Sequence, residues 1–212
     1  MTAVRPGLLF VVSAPSGAGK TSLVAALLAE LAGIAVCISH TTRPRRSREV
    51  DGVNYHFIDR ATFESMITAG AFLEHASVFG NYYGTSIESA RAALDSGLDL
   101  ILEIDWQGAA QIRHLRPGTL SIFILPPDQA TLAQRLRARG QDDDSVIRDR
   151  LSKAVDEMSH WSEFDFLVIN DDFARATADM VSIVRSERLR RSPQQSVLAA
   201  KLAALLDSPS RA

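Results

Sequence analysis

Ser13-Ala14-Pro15-Ser16-Gly17-Ala18-Gly19-Lys20-Thr21 is the stretch that decides the fold. It follows the apolar run 8–12 and opens a segment in which Leu23, Leu27, Leu28 and Leu31 recur at offsets 0, 4, 5 and 8. Strand, Gly-rich turn and amphipathic helix, in that order, are the context a phosphate-binding loop (P-loop) requires. Gly17 and Gly19 permit backbone angles that turn successive N–H groups onto phosphate oxygens, and the helix beginning near Lys20 adds the positive end of its dipole. Lys20 then reaches the β- and γ-phosphates as a point charge, and the Thr21 hydroxyl is the candidate ligand for Mg²⁺. One position departs from the general pattern: Ala14 stands where Gly is usual.

Outward from this loop, the apolar runs 8–12, 34–38, 98–104, 120–125 and 166–169 are continuous rather than alternating. Such runs are strands of a parallel sheet covered on both faces. Helical segments separate them. Residues 128–139 follow Pro126-Pro127, with Asp128 placed to cap the first turn, and 145–161 sets Ile147, Leu151, Ala154, Val155 and Met158 on one stripe. The expected fold is α/β, a P-loop NTPase-type parallel sheet flanked by helices, with right-handed crossovers. Two stretches break the rhythm. Between Ser39 and about Ser86 lie an arginine-rich loop and short β-like pieces around 55–58 and 79–83, too long for a connection and read as an inserted lobe. The Gly-containing acidic stretch 139–145 reads as the tip of a mobile flap. Near the end, Leu198, Leu202, Leu205 and Leu206 share a helical face. Such a stripe ordinarily packs on its own core; a subunit contact in a homo-oligomer is the second reading.

Composition sets the outer bounds. The chain has 212 residues, 46% hydrophobic and 23% charged, enough for one compact core with small lobes. A net charge of −2 gives no global basic field for nucleic acid or an anionic membrane. The single cysteine, Cys37, has no partner for an internal disulfide and reads as a buried small hydrophobe. The five histidines lack metal-ligand spacing. The start of the chain does not read as a signal peptide, and no apolar run approaches the roughly 20 residues of a membrane span. A cytoplasmic protein is expected.

The segment Val36-Cys37-Ile38-Ser39-His40-Thr41-Thr42-Arg43-Pro44-Arg45-Arg46-Ser47-Arg48-Glu49, with Gly52-Val53-Asn54-Tyr55 behind it, closely resembles the guanylate kinase family. So do Phe72-Leu73-Glu74-His75-Ala76, Gly80-Asn81-Tyr82-Tyr83-Gly84-Thr85, Glu103-Ile104-Asp105-Trp106-Gln107-Gly108 and Ile169-Asn170-Asp171-Asp172. The resemblance runs in order from about Leu8 to Arg191. It implies a nucleoside monophosphate kinase of purine metabolism, moving a phosphoryl group from ATP to GMP, or to dGMP, by in-line transfer with Mg²⁺. It also implies a core of 1–38, 87–126 and 156–212, a GMP-binding lobe of 39–86 and a helical lid of 127–155.

Site residues carry over at the matching positions. The resemblance places ATP on Ala14, Pro15, Ser16, Gly17, Ala18, Gly19, Lys20, Thr21 and Asn170. It places GMP on Ser39, Arg43, Arg46, Glu49, Tyr55, Glu74, Tyr83, Thr85 and Asp105. Catalytic roles fall to Lys20, Arg43, Arg135, Arg139 and Arg150. The residue types suit these tasks. Arg43 and Arg46 present planar forks of donors to a phosphate, and Tyr55 and Tyr83 add hydroxyls. An ionised Glu74 accepts on both oxygens, matching the adjacent N1–H and N2–H₂ donors of guanine, with Ser39 and Thr85 as hydroxyl partners. Adenine would leave that carboxylate unpaired, and such sites reject the wrong partner by roughly 10⁴-fold. Asp105 follows the strand where a P-loop fold sets its Mg²⁺-organising acid, and the division of labour between it and Glu103 stays open. Arg135, Arg139 and Arg150 match lid arginines that stabilise the charge of the transferring group; Arg137 and Arg148 read as solvated helix charges. The GMP phosphate is itself an anionic nucleophile, so no general base is required. Two rivals are another nucleoside monophosphate kinase and a non-catalytic binding module of the same fold. Glu74 with its hydroxyl partners argues against the first, and Lys20, Thr21 and the arginines against the second.

Overall fold

The computed structural model describes residues 5–78, 80–139 and 144–207. The chain runs through β1 (Leu9–Ser13), α1 (Lys20–Glu30) and β2 (Ile34–Val36) into β3 (His40–Thr41) and β4 (His56–Phe57). Next come α2 (Arg60–Thr68), β5 (Phe72–Val78), β6 (Asn81–Ser86), α3 (Ile87–Asp95), β7 (Asp99–Glu103) and α4 (Trp106–Leu115). Then follow β8 (Leu120–Leu125), α5 (Gln129–Arg139), α6 (Asp144–Ser159) and a 3₁₀ turn (His160–Glu163). The strand β9 (Phe166–Ile169) precedes α7 (Phe173–Arg188) and α8 (Arg191–Leu206).

The five continuous apolar runs form one parallel sheet in the order β2-β7-β1-β8-β9. The central strands need apolar residues on both faces because both are covered. The expectation fails at the edge strand β9, where Val168 is buried but Leu167 and Ile169 are 44 and 52% exposed, because no helix among the described residues covers that face. Phe10 and Val12 of β1 join the layer holding Leu23 and Leu27 of α1 and Met180 and Val184 of α7. Leu9 and Val11 point the other way, into the layer with Ala90 and Leu94 of α3 and Ile112 of α4. Burying a side chain such as Phe10 contributes about 1.5–3 kcal/mol, which fixes the register of the central strand. Since all five strands run the same way, their C-terminal ends meet at one rim. The Gly-rich loop, residues 103–105, the approach to α5 and Asn170 all lie there, where open α/β sheets bind ligands.

A second sheet, β4-β3-β6-β5, lies in the stretch read as an inserted lobe. The sequence suggested only short β-like pieces there. The structure adds β3, a seven-residue β5 and the helix α2, which Asp59 caps by accepting the Thr62 N–H. Phe63 of α2 stacks on Phe72 and Tyr82, with ring centroids 4.4 and 5.2 Å away, and so closes the back of this sheet.

Two expectations are corrected. Val155 is 47% exposed, although it was read into the buried stripe of α6. The packed face runs through Ile147, Leu151, Ala154 and Met158, and Val155 lies one residue, about 100°, past it. The C-terminal stripe does not pack on the core along its length either: Leu198 is half-buried, but Leu202, Leu205 and Leu206 are 45, 69 and 80% exposed. Most of the stretch read as a flap tip, residues 140–143, lies outside the described residues. Cys37 is buried, and burial, followed by the nearby Glu74 charge, pushes its thiol up to about 11. Among the described residues no helix is long and apolar enough to cross a membrane.

One buried carboxylate ties the beginning of the fold to its end. Asp99, at the start of β7, accepts two hydrogen bonds from Arg5 (2.7 and 2.8 Å), one from the Leu8 N–H (2.7 Å) and one from Arg188 Nε (2.7 Å). Burial alone would raise its pKa, but these donors hold it below the usual carboxylate range. Replacing it strands two arginines, so Asp99→Ala is expected to lose about 3 kcal/mol in urea unfolding at neutral pH. A depressed pKa contributes stability above the unfolded-state value and loses it as pH falls through the folded one. The wild-type advantage therefore shrinks below about pH 4.

Candidate active site

The β1–α1 turn closes on itself through the Ala18 N–H and the Pro15 carbonyl (3.1 Å). Gly17 and Gly19 sit at φ 92° and 99°, the left-handed region that other residues rarely adopt. Ala14, at the position where Gly is usual, packs its methyl group against the core and leaves the turn intact. Gly19 is the N-cap of α1 and offers no side-chain cap, so the first N–H groups of the helix are presented to an anion. The other side of the loop is gripped. Asn170 Nδ2 donates to the Ala18 carbonyl at 2.7 Å. Arg135 reaches that oxygen at 3.4 Å and the Asn170 carbonyl at 3.0 Å. A Cβ on Gly19 would lie 2.4 Å from Asn170 Nδ2, so this position needs glycine for space as well as for its angle. Leu132 and Leu136 of α5 press on Gly17 from behind.

Lys20 leaves the loop toward the end of β7, where its Nζ donates to the Ile104 carbonyl (3.3 Å). Burial lowers its pKa; Glu103, Asp105, Glu157 and Glu74, in decreasing order, oppose that shift. The Thr21 hydroxyl faces Glu103 Oε2 at 3.2 Å. Asp105 caps α4 by accepting the Gly108 N–H (2.9 Å). Oxygen donors of this kind suit a hard divalent cation that keeps most of its shell from water and phosphate.

The second sheet carries the other half of the site on its front face. Thr85 pairs with Glu74 across β6 and β5, and Tyr83, two residues earlier, shares that face. Glu74 is 3% exposed and accepts from the Thr85 hydroxyl at 2.6 Å; Ser39 Oγ lies 3.3 Å from Thr85 Oγ1. Burial raises the Glu74 carboxyl to about 7, the Thr85 bond and Lys20 countering and Asp105 adding. Further along, Arg43 lies 5.6 Å from the Tyr55 ring centroid, and the Tyr55 and Tyr83 rings are 5.9 Å apart. Glu49 holds both guanidinium ends of Arg43 (2.7 and 3.0 Å) and the Arg46 N–H (2.8 Å), which fixes the loop that presents both arginines. The Arg46 side chain is exposed.

Among the arginines expected in a lid, Arg135 meets the loop directly, and Arg150 sits half-buried on α6. Arg139 ends α5, and its side chain lies outside the described residues. Sequence reasoning missed Glu157. Its Oε2 accepts the Ser16 N–H at 3.0 Å, and burial raises its pKa. The only available signal was its spacing of two turns from Arg150 on one helical face.

The guanylate kinase family model matches residues 7–187. A guanylate kinase of Alkalilimnicola ehrlichii is 55% identical over 201 residues, covering 95% of this chain and 99% of its own. One of Hahella chejuensis is 56% identical over 204 residues, covering 96% and 98%. Among solved structures, the guanylate kinase of Anaplasma phagocytophilum superposes with a TM-score of 0.73 at 29% identity, over 95% of this chain and 98% of that one. The match takes in the phosphate loop, the second sheet and the α5–α6 pair alike, and the chain belongs to the guanylate kinase family.

Proposed function

We infer that the chain transfers the γ-phosphoryl group of ATP directly to GMP, giving ADP and GDP, with dGMP as an alternative acceptor. The carrying observation is the position of Lys20. It projects from an anion-binding loop to the end of β7, where its Nζ meets the Ile104 carbonyl beside Glu103 and Asp105, and the next helix, α4, brings Gly108 against the buried Glu74 of the second sheet. In this reading ATP lies on residues 14–21 and beside Asn170, its phosphates held by loop N–H groups and Lys20. GMP lies on the front of the second sheet, its phosphate between Arg43, Arg46, Tyr55 and Tyr83 and its base against Glu74, Thr85 and Ser39. Asp105 stands between the halves, and Glu49 orients Arg43. An oxygen of the GMP phosphate attacks the γ-phosphorus as the bond to the bridging oxygen of ADP breaks. Lys20, Arg43, Arg135, Arg139 and Arg150 neutralise charge on the oxygens involved. Bound Mg²⁺, on Thr21 and the phosphates with Glu103 nearby, would supply further charge neutralisation.

Residues 39–86 serve here as the GMP lobe and 127–155 as the lid, on a core of 1–38, 87–126 and 156–212. Containment of β3 to β6 within the first range supports this division. We place the enzyme in the cytoplasm as a homo-oligomer joined through α8, a reading supported by its exposed Leu205 and Leu206. Changing both leucines to Glu is expected to shift size-exclusion elution to the monomer volume; an unmoved peak removes α8 from the contact.

Two experiments test the activity. In a coupled assay offering GMP, AMP, CMP, UMP and dTMP, GMP should be the acceptor consumed, and Lys20→Met should lower kcat about 10²–10³-fold. Consumption of a different acceptor overturns the reading. Glu74 has to be ionised to accept both guanine donors, and its proton is bound below about pH 7. Accordingly kcat/KM for GMP should fall about tenfold per pH unit below that value. Glu74→Gln should lose at least about 10²-fold in kcat/KM for GMP with KM for ATP unchanged. Only the limb from the GMP phosphate itself, near pH 6, should then remain.

A further inference from the structure

Glu74 sits where the ladder of its strand is irregular. β5 is an edge strand, paired only with β6 in its sheet. The ladder between them slips at Phe72/Glu74: Phe72 faces Ser86 while Glu74 faces Thr85. A bulge of this kind re-aims the neighbouring side chain and breaks the regular bonding that would lock it. The free edge of β5 meets α4, which belongs to the first sheet's layers.

There Gln111 acts as a substitute strand. Its Oε1 accepts the His75 N–H at 3.1 Å, and its Nε2 donates to the His75 carbonyl at 2.8 Å. A side-chain amide thus makes the reciprocal pair that a neighbouring peptide would make, on the residue next to Glu74. Gly108 lies one turn earlier on the same helical face. A Cβ there would stand 2.8 Å from Glu74 Oε2, so glycine lets the helix backbone come up against the carboxylate. The same first turn contains Asp105, which follows the strand whose Glu103 faces Thr21.

We propose that Gln111 is a positioning residue for the acceptor base: by completing the edge of the bulged strand it fixes the direction in which Glu74 presents its two oxygens. The inference rests on the reading of Glu74 as the guanine-recognising group. A carboxylate held in one orientation accepts N1–H and N2–H₂ together; one free to swing favours a base with a single donor nearly as well. Inosine monophosphate, which has N1–H and lacks the 2-amino group, reports that difference.

Steady-state kinetics on the full chain test this, with Gln111→Met and Gln111→Ala beside wild type and Glu74→Gln, and with GMP and inosine monophosphate as acceptors. In Gln111→Met, KM for GMP should rise about tenfold and the GMP preference over inosine monophosphate should fall by a similar factor. KM for ATP should stay within about twofold, a split that loosened folding alone does not produce. If the Met variant fails to fold, the Ala variant carries the same expectation. An unchanged preference in the folded variant, or equal losses toward ATP and GMP, overturns the proposal. Should Glu74→Gln itself keep the wild-type preference, the reading of Glu74 fails, an outcome distinct from failure at Gln111 alone.

Discussion

Two polyanions have to come within bonding distance, and mutual repulsion of their phosphates is the constraint that organises this molecule. Net charge does not solve it, since the chain is slightly acidic at −2. The solution we propose is local: N–H dipoles at the start of α1, Lys20, and guanidinium groups on three different elements. Several of these groups are held by contacts within the protein. The Ala18 carbonyl is fastened by Asn170 and Arg135, so the loop amides are aimed by contacts on their outer side. Arg43 is fastened by Glu49 in the same way. Groups already oriented need little reorganisation when charge develops, which is where electrostatic catalysis draws its strength.

The parallel sheet is what allows so few residues to converge. Strands β1, β7, β8 and β9 end at one rim, bringing residues more than a hundred positions apart in sequence, such as Ala18 and Asn170, into hydrogen-bond contact. The second sheet is attached to that rim through α4, whose first residues follow β7 and whose later residues hold β5. Donor side and acceptor side therefore share a helix.

Legibility in the sequence followed the range of each interaction. The loop from Ser13 to Thr21 was readable because its glycines, lysine and threonine act within nine consecutive residues. The central apolar runs were readable because burial on both faces leaves no polar gaps, whereas β9 is apolar on a face it leaves exposed. Arg43, Tyr55, Glu74 and Tyr83 could be assigned only through family resemblance; chemistry alone could not tell a phosphate clamp from a solvated arginine loop. The structure brings Arg43 and the two tyrosines together, and Arg46 lies at the surface beside them. Gln111 was silent, and Glu157 offered only its spacing from Arg150, since a lone polar residue on a helix carries no mark of what it will face. The short strand His40–Thr41 was silent too, for two residues cannot display a period. Val155 was misread because a stripe drawn through adjacent positions 154 and 155 is wider than the face α6 buries.

In the role proposed for Glu74, base selection gains its force from a cost borne by the protein. A carboxyl raised from its usual value of 4.5 to about 7 corresponds to roughly 3 kcal/mol of disfavoured ionisation, and the cause is burial. Thr85 relieves part of that cost and satisfies one oxygen; the other faces the first turn of α4 at Gly108. A purine presenting two adjacent donors compensates the desolvated charge, whereas one presenting an acceptor deepens the penalty. Discrimination of this sort needs no steric barrier against the wrong base. It needs a charged group kept dry and kept aimed: burial supplies the first at Glu74, and the Gln111 pair on His75 is the proposed source of the second.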